Sequence, residues 1–248
     1  MRFSRHGVRE MTAGTILLVL VGLALGYTWL PLALLAVPPL IWLFAFFRDP
    51  ERTIPTDVTA FVSPADGTVS DIGDVDEPLL GEPAVRVGIF LSVFNVHINR
   101  SPTHGRVRQV TYKKGKFVNA LHHDTASEHN ESNTIVIDGD DGRVVAVVRQ
   151  ICGLIARRII CTKQVGDTLS RGERLGMIKF GSRTELTIPK RLMPEILVTK
   201  GQKVRAGTDV IARVRLDQQP APTAEAMDDA STPPVVHGDP ADVGGGGR

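Results

Sequence analysis

The chain has 248 residues, 42% of them hydrophobic and 23% charged, with a formal net charge of +2. This is an ordinary globular balance with enough chain for one sizeable core, and so small a charge, with no run of five basic residues, excludes a nucleic-acid-binding footprint. The two cysteines, Cys152 and Cys161, lie in apolar stretches without a Cys-x-x-Cys spacing, so both read as small buried residues on a reducing, cytosolic face, with no zinc or other metal set beside them.

In chain order, residues 1–12 are polar and basic, with Arg2, Arg5 and Arg9, and Ala13 to Phe47 then runs 35 residues without a charged side chain. That is too long for a signal-peptide core. A helix crosses a bilayer with about 20 residues, so the run predicts a helical membrane hairpin, either two short spans or a re-entrant pair, broken near Trp29-Leu30-Pro31. Arg48 and Arg52 follow it. Basic residues at both ends place both ends of such a hairpin, and the body after it, on the cytoplasmic face of the cell membrane.

From residue 48 to 217 the pattern is β-rich. Gly67–Ile72, Val85–Leu91, Thr134–Ile137 and Val144–Val148 are short β-type runs bounded by Gly, Pro, Asp or Asn, and they predict an all-β sandwich or flattened barrel. Gly115 to Asn133 is too polar for a core strand and reads as a long loop, a place where function is often found. Residues 218–248 are rich in Pro, Ala, Asp and Gly and end in four glycines before Arg248, which predicts a disordered tail.

Within the β region an internal repeat stands out. Gly166, Leu169, Gly172 and Leu175 match Gly201, Val204, Gly207 and Val210, all at an offset of 35 residues. Each copy reads as strand, glycine turn and strand, similar to the two halves of biotinyl or lipoyl carrier domains. Between the copies lies Lys179-Phe180-Gly181-Ser182, with Gly181-Ser182 on the link.

This link, after Gly172-Glu173-Arg174-Leu175-Gly176-Met177-Ile178, closely resembles the pyruvoyl-dependent phosphatidylserine decarboxylases. Phe61-Val62-Ser63-Pro64-Ala65-Asp66-Gly67-Thr68-Val69, Phe90 to Pro102 with its Asn95-Val96-His97-Ile98-Asn99-Arg100, and Gly153 to Ile159 resemble that family's segments in its order. The likeness covers roughly residues 40 to 215 and is strongest to the short, single-core forms.

The resemblance implies an autocatalytic zymogen and a carboxy-lyase of phospholipid biosynthesis. Ser182 would attack the Gly181 carbonyl, giving a β chain of residues 1–181 and an α chain from 182 that starts with a pyruvoyl cofactor and stays with its β chain as a heterodimer. A Schiff base from that group to phosphatidylserine would release carbon dioxide and leave phosphatidylethanolamine. A carbonyl is needed because no ordinary side chain can accept the electron pair left on the α-carbon.

Serine is a poor nucleophile at neutral pH, so maturation needs a base and usually a group that orients it. Asp66 and His97 are the candidates. Read locally, Asp66 is also a turn-forming Asp beside Gly67, and His97 also a core histidine. Longer bacterial members resemble His-x-x-His where this chain has His97 and Arg100, so one histidine serves both maturation and protonation or a second one contributes, with His122, His123 and His129 of the polar loop as the others to weigh. Arg157 and Arg158 are candidates for the lipid phosphate, whose geometry suits guanidinium forks, and equally for a solvated strand face. The rival from another class is a membrane-anchored biotinyl- or lipoyl-like adaptor without catalysis. It explains the repeat but neither Gly181-Ser182 nor His97.

Overall fold

In the computed structural model the residues described are 2–115, 129–153, 158–179 and 182–215. The uncharged run folds as α1 (Val8–Thr28), a break at Trp29, a 3-10 segment (Leu30–Ala36) and α2 (Val37–Phe46). The break falls where Pro31 stands, because proline cannot donate within the first helix and presets the next one. The two limbs run antiparallel. Gly26 faces Ala33 and Gly22 faces Ala36 at about the limit of ordinary contact for an added Cβ, and Gly14 faces Leu43 so closely that a Cβ there would collide with it. Among the described residues one helix, Arg5–Thr28, is long and apolar enough to cross a membrane, and little of it is buried. Leu30–Phe46 has fewer residues, but its 3-10 half rises about 2 Å per residue, so it reaches about as far as α1.

The hairpin is tied back to the body. β1 (Arg2–Phe3) pairs with β2 (Arg48–Asp49), and Met11, Leu43, Phe46 and Phe47 pack with Val96, Ile98 and Met177 of the body in one buried cluster.

The body is mostly β. An eight-stranded antiparallel sheet has the order β11 (Thr168–Leu169), β7 (Gly105–Lys113), β8 (Ser132–Asp138), β9 (Val144–Cys152), β13 (Ser182–Pro189), β5 (Glu82–Leu91), β4 (Gly67–Glu77) and β15 (Lys203–Val204). Two three-stranded sheets accompany it: β10 (Arg158–Cys161), β12 (Arg174–Lys179) and β6 (Ile98–Arg100), and β14 (Glu195–Ile196), β16 (Val210–Arg213) and β3 (Ala60–Val62). Alternate residues such as Val87, Ile89, Leu91, Ile135, Ile137, Val148, Leu186 and Ile188 form the main core, as the two-residue period of a strand dictates.

The 35-residue repeat is visible in this arrangement. β11 and β15 are the two edges of the eight-stranded sheet, and β12 and β16 are the middle strands of the two smaller ones. Gly172 and Gly207 both have φ +74° in the turn between, a left-handed conformation that glycine adopts without strain. The two turns meet, since the side chain of Ile54 lies against both glycines.

Two expectations need correction, and one strand was missed. The polar loop was expected to run to Asn133, yet Ser132, Asn133 and Thr134 open β8 as buried residues. Polarity misled there because Asn133 donates to Gln150 Oε1 (2.9 Å) on β9, and a hydrogen-bonded amide is buried at little cost. β7 was not foreseen, because its arginines and polar residues face solvent near a sheet edge. Cys161 is only partly buried, whereas Cys152 is fully so, and both are free.

Candidate active site

Ser182 opens β13, the strand at the middle of the large sheet, between Cys152 on β9 and Leu91 on β5. All eight residues of β13 are buried. Its two faces differ, as strand alternation requires. Ser182, Thr184, Leu186 and Ile188 share one face; Arg183, Glu185 and Thr187 share the other.

On the first face a chain of amides leads to the serine's neighbour. Asn133 donates to Gln150, Gln150 to Asn99 Oδ1 (2.9 Å), and Asn99 to Thr184 Oγ1 (2.9 Å). Ser182 differs from these. Its Oγ is buried and has no hydrogen-bond partner among the described residues, and a buried hydroxyl left so costs roughly 1–3 kcal/mol.

His97 precedes β6 by one residue. Its carbonyl accepts from Ile178 N (3.2 Å), which places it beside the end of β12, just before the link at 180–181. The ring lies against Phe46, with centroids 4.3 Å apart, and Nδ1 is 3.0 Å from the Asn95 carbonyl. A carbonyl only accepts, so that contact assigns the proton to Nδ1 and leaves Nε2 as the basic nitrogen. Burial drives the imidazole pKa down to about 4 against the pull of the Asn95 carbonyl, and the charge of Arg48 adds to the effect.

Asp66 is held elsewhere. Its carboxylate takes both bonds from Arg52 Nη2 (2.9 and 2.7 Å) and one from Ala206 N (2.8 Å). Burial raises its pKa above the ordinary carboxylate range, although Arg52 and the Ala206 amide oppose this. Among the described residues it makes no hydrogen bond to His97, and Ser182 makes none to either.

Arg158 begins β10 opposite Lys179 and is exposed. Gly181, Arg157, His122 and His123 lie outside the described residues. Arg100, three residues after His97, binds the Gly172 carbonyl (2.9 Å), the Pro50 carbonyl (3.0 Å) and Asp49 (3.3 Å). It staples the N-terminal segments to the repeat turn.

Sequence reasoning missed the other face of β13. Arg183, fully buried, meets Asp71 Oδ1 (2.5 Å), Ser70 Oγ (2.5 Å) and Glu185 Oε1 (3.0 Å). Arg149 reaches Glu185 (3.5 Å) and Glu77 (3.1 Å). Room for Arg183 comes from Gly88, where an added Cβ would sit 2.1 Å from the guanidinium. The available signal was Ser-Arg-Thr-Glu itself, an alternating charged strand beside the link. Also missed was Lys179, which is buried and paired with Glu10 of α1 (2.8 Å).

A strand-rich body thus carries, at the head of its central strand, a buried serine whose hydroxyl has no hydrogen-bond partner among the described residues, with a buried histidine beside the strand that precedes the link. The family model for phosphatidylserine decarboxylase matches residues 40–212. The phosphatidylserine decarboxylase proenzyme of Rhodopirellula baltica is 46% identical over 213 residues, 85% of this chain and 88% of that protein. That of Solidesulfovibrio magneticus is 50% identical over 185 residues, 75% of this chain and 85% of that one, and that of Carboxydothermus hydrogenoformans 50% over 179, covering 71% and 82%. The chain belongs to the phosphatidylserine decarboxylase family and is a decarboxylase, a lyase.

Proposed function

We propose that the chain cleaves itself between Gly181 and Ser182, and that the resulting pyruvoyl enzyme converts phosphatidylserine to phosphatidylethanolamine and carbon dioxide at a membrane surface. The observation that carries this is the Ser182 hydroxyl, buried and unpartnered among the described residues at the start of β13. Such an oxygen has its lone pairs available for the adjoining peptide carbonyl.

His97 takes the Ser182 hydroxyl proton at Nε2 as Oγ attacks the Gly181 carbonyl carbon, and the amide nitrogen leaves as an amine, so the peptide becomes an ester. Loss of the Ser182 α-proton then expels Gly181 as a carboxylate. Water replaces the nitrogen, which departs as ammonia, and a pyruvoyl group heads the α chain (182–248) against a β chain of 1–181. Asp66 assists from the Ala206 turn, with Arg52 holding it in place, rather than through a bond to His97. The pyruvoyl group would supply a carbonyl through which the electron pair left on the substrate α-carbon, as carbon dioxide departs, is delocalised. In turnover His97 takes a proton from the substrate ammonium and returns it to the α-carbon after carbon dioxide has left. Arg158, exposed opposite Lys179, and its neighbour in sequence Arg157 would meet the lipid phosphate, whose geometry suits guanidinium forks.

The apolar hairpin is the membrane anchor, and the arginines at both of its ends favour a body on the cytoplasmic face. The adaptor reading is not favoured, because carrier-like halves alone leave Ser182 and His97 without a use. Intact mass spectrometry of the purified chain tests the proposal. Two masses, meeting between Gly181 and Ser182, are expected for the wild type and one for Ser182→Ala; a wild type of full mass would refute it.

A further inference from the structure

Two cavities at the root of the hairpin share a wall. The first, about 430 Å³, is lined by Arg2, Arg5, His6 and Arg174 together with Asp49 and Phe3. The second, about 470 Å³, is lined by Phe3, Leu40, Ile41, Phe44 and Ala45, with Arg48 at its edge. Phe3 belongs to both, braced edge-on against Phe44 with centroids 5.7 Å apart.

The charge in the first cavity is not balanced from within. Asp49 is shared between Arg174 (2.7 Å) and Arg100 (3.3 Å), and Glu51 meets Arg2 (2.9 Å) and Arg174 (3.7 Å) in solvent-exposed contacts, where an ion pair holds weakly. Arg5 and His6 enter no ion pair among the described residues. A cavity walled by three guanidiniums and an imidazole, with one shared carboxylate in its lining and one solvent-exposed carboxylate outside it, still carries excess positive charge and calls for an anion, and guanidinium forks match phosphate oxygens. The adjoining cavity is apolar and opens along α2.

We propose that this pair of cavities holds one anionic phospholipid, with the headgroup phosphate among Arg2, Arg5, His6 and Arg174 and an acyl chain beside Leu40, Ile41 and Phe44, parted by Phe3. The site stands at the junction of hairpin and body, the depth at which headgroups lie when the hairpin is in a bilayer. It rests on the membrane reading of the hairpin. The bound lipid seals the strap of β1 and β2 against the body.

The test uses the full chain in neutral detergent, with phosphatidylglycerol and phosphatidylcholine as probes and native mass spectrometry as the count of retained lipid. One phosphatidylglycerol per chain is expected, held about tenfold more tightly than phosphatidylcholine. Arg5→Gln should erase about that factor, the usual scale for one charge-assisted contact. Arg9→Gln makes the same charge change on an exposed residue outside the cavity and should leave binding unchanged. Equal retention of the two lipids, or equal loss in the two variants, would mean diffuse surface charge and overturn the site. Flotation on phosphatidylcholine vesicles separates the premises: a chain that does not float lacks the anchor, and the lipid site falls with it, whereas floating without selective retention rejects the site alone.

Discussion

The imidazole of His97 rests on the ring of Phe46, 4.3 Å between centroids and tilted by 32°. Phe46 ends the second limb of the apolar hairpin, so the candidate base of the β body is roofed by a residue of the segment proposed to enter the membrane. Phe46 is almost wholly buried and Phe47 beside it wholly so. The hairpin therefore completes the environment of His97.

It follows that Phe46→Ala should both loosen the body and readmit water to the imidazole. Removing a buried Phe costs about 3–5 kcal/mol, and relief of burial moves the His97 pKa up toward its ordinary value. The expected result is a lower unfolding temperature together with a maturation rate that now falls at a higher pH. A loss of stability with an unchanged pH profile would show that Phe46 only packs.

For the unaltered chain the sign is fixed by the lowered pKa. His97 titrates near 4 when folded and near 6.5 otherwise, so between those values the unfolded chain binds the extra proton. Its contribution to stability is whole above about pH 6.5 and is lost as pH falls toward 4, up to about 3 kcal/mol. The neutral base persists throughout, so self-cleavage governed by His97 should hold its rate from pH 8 to about 5. Gel or mass kinetics that drop through pH 6.5 would place the titrating base elsewhere.

His97→Ala should slow self-cleavage by about a hundred- to ten-thousand-fold, the usual cost of losing a general base, and should accumulate as folded full-length precursor. Asp66→Asn should act differently. It keeps the Ala206 contact geometry but leaves Arg52, which is largely buried, without its carboxylate, so slower maturation should come with a measurable loss of stability. If both variants cleave at the wild-type rate, neither is needed for maturation and His129, His122 and His123 are next to be replaced.

Arg183 offers a test away from the chemistry. Arg183→Gln leaves Asp71 and Glu185 only the longer contacts to Arg86 (3.6 and 3.9 Å) and, for Glu185, Arg149 (3.5 Å), so it should cost less than the about 3–5 kcal/mol of a buried pair broken outright. Gly88→Ala pushes a methyl into the guanidinium and should cost about 1–3 kcal/mol by overpacking. The two substitutions act on one contact, so the double variant should lose less than the sum of the singles, as denaturant titration can read. Additive losses would mean that Gly88 and Arg183 do not depend on each other.

Much of the architecture was legible because it follows local rules. The break at Trp29 to Pro31, the strands around Val87, Ile135 and Val147, and the repeat centred on Gly172 and Gly207 all announce themselves through proline, alternation or glycine spacing. What could not be read depends on partners distant in sequence. Asn133 looked like loop until Gln150 received it, the contacts of Asp66 to Arg52 and Ala206 carry no local mark, and neither does the pairing of Arg183 with Asp71, 112 positions away. Pairings of this range have no local code, and polarity alone points the wrong way whenever a mate is waiting.

The place of β13 in the middle of the large sheet carries a consequence for the order of events in the protein's life. A cut ahead of Ser182 would turn the central strand into the first strand of a separate polypeptide, still gripped by β9 and β5 but no longer tethered to them by the backbone. The information for reaching that slot is then divided between two molecules, so assembly must come first and scission last. A matured molecule that opens fully has no unimolecular way back, and its working lifetime is set by the height of the barrier to opening, not by an equilibrium it can revisit.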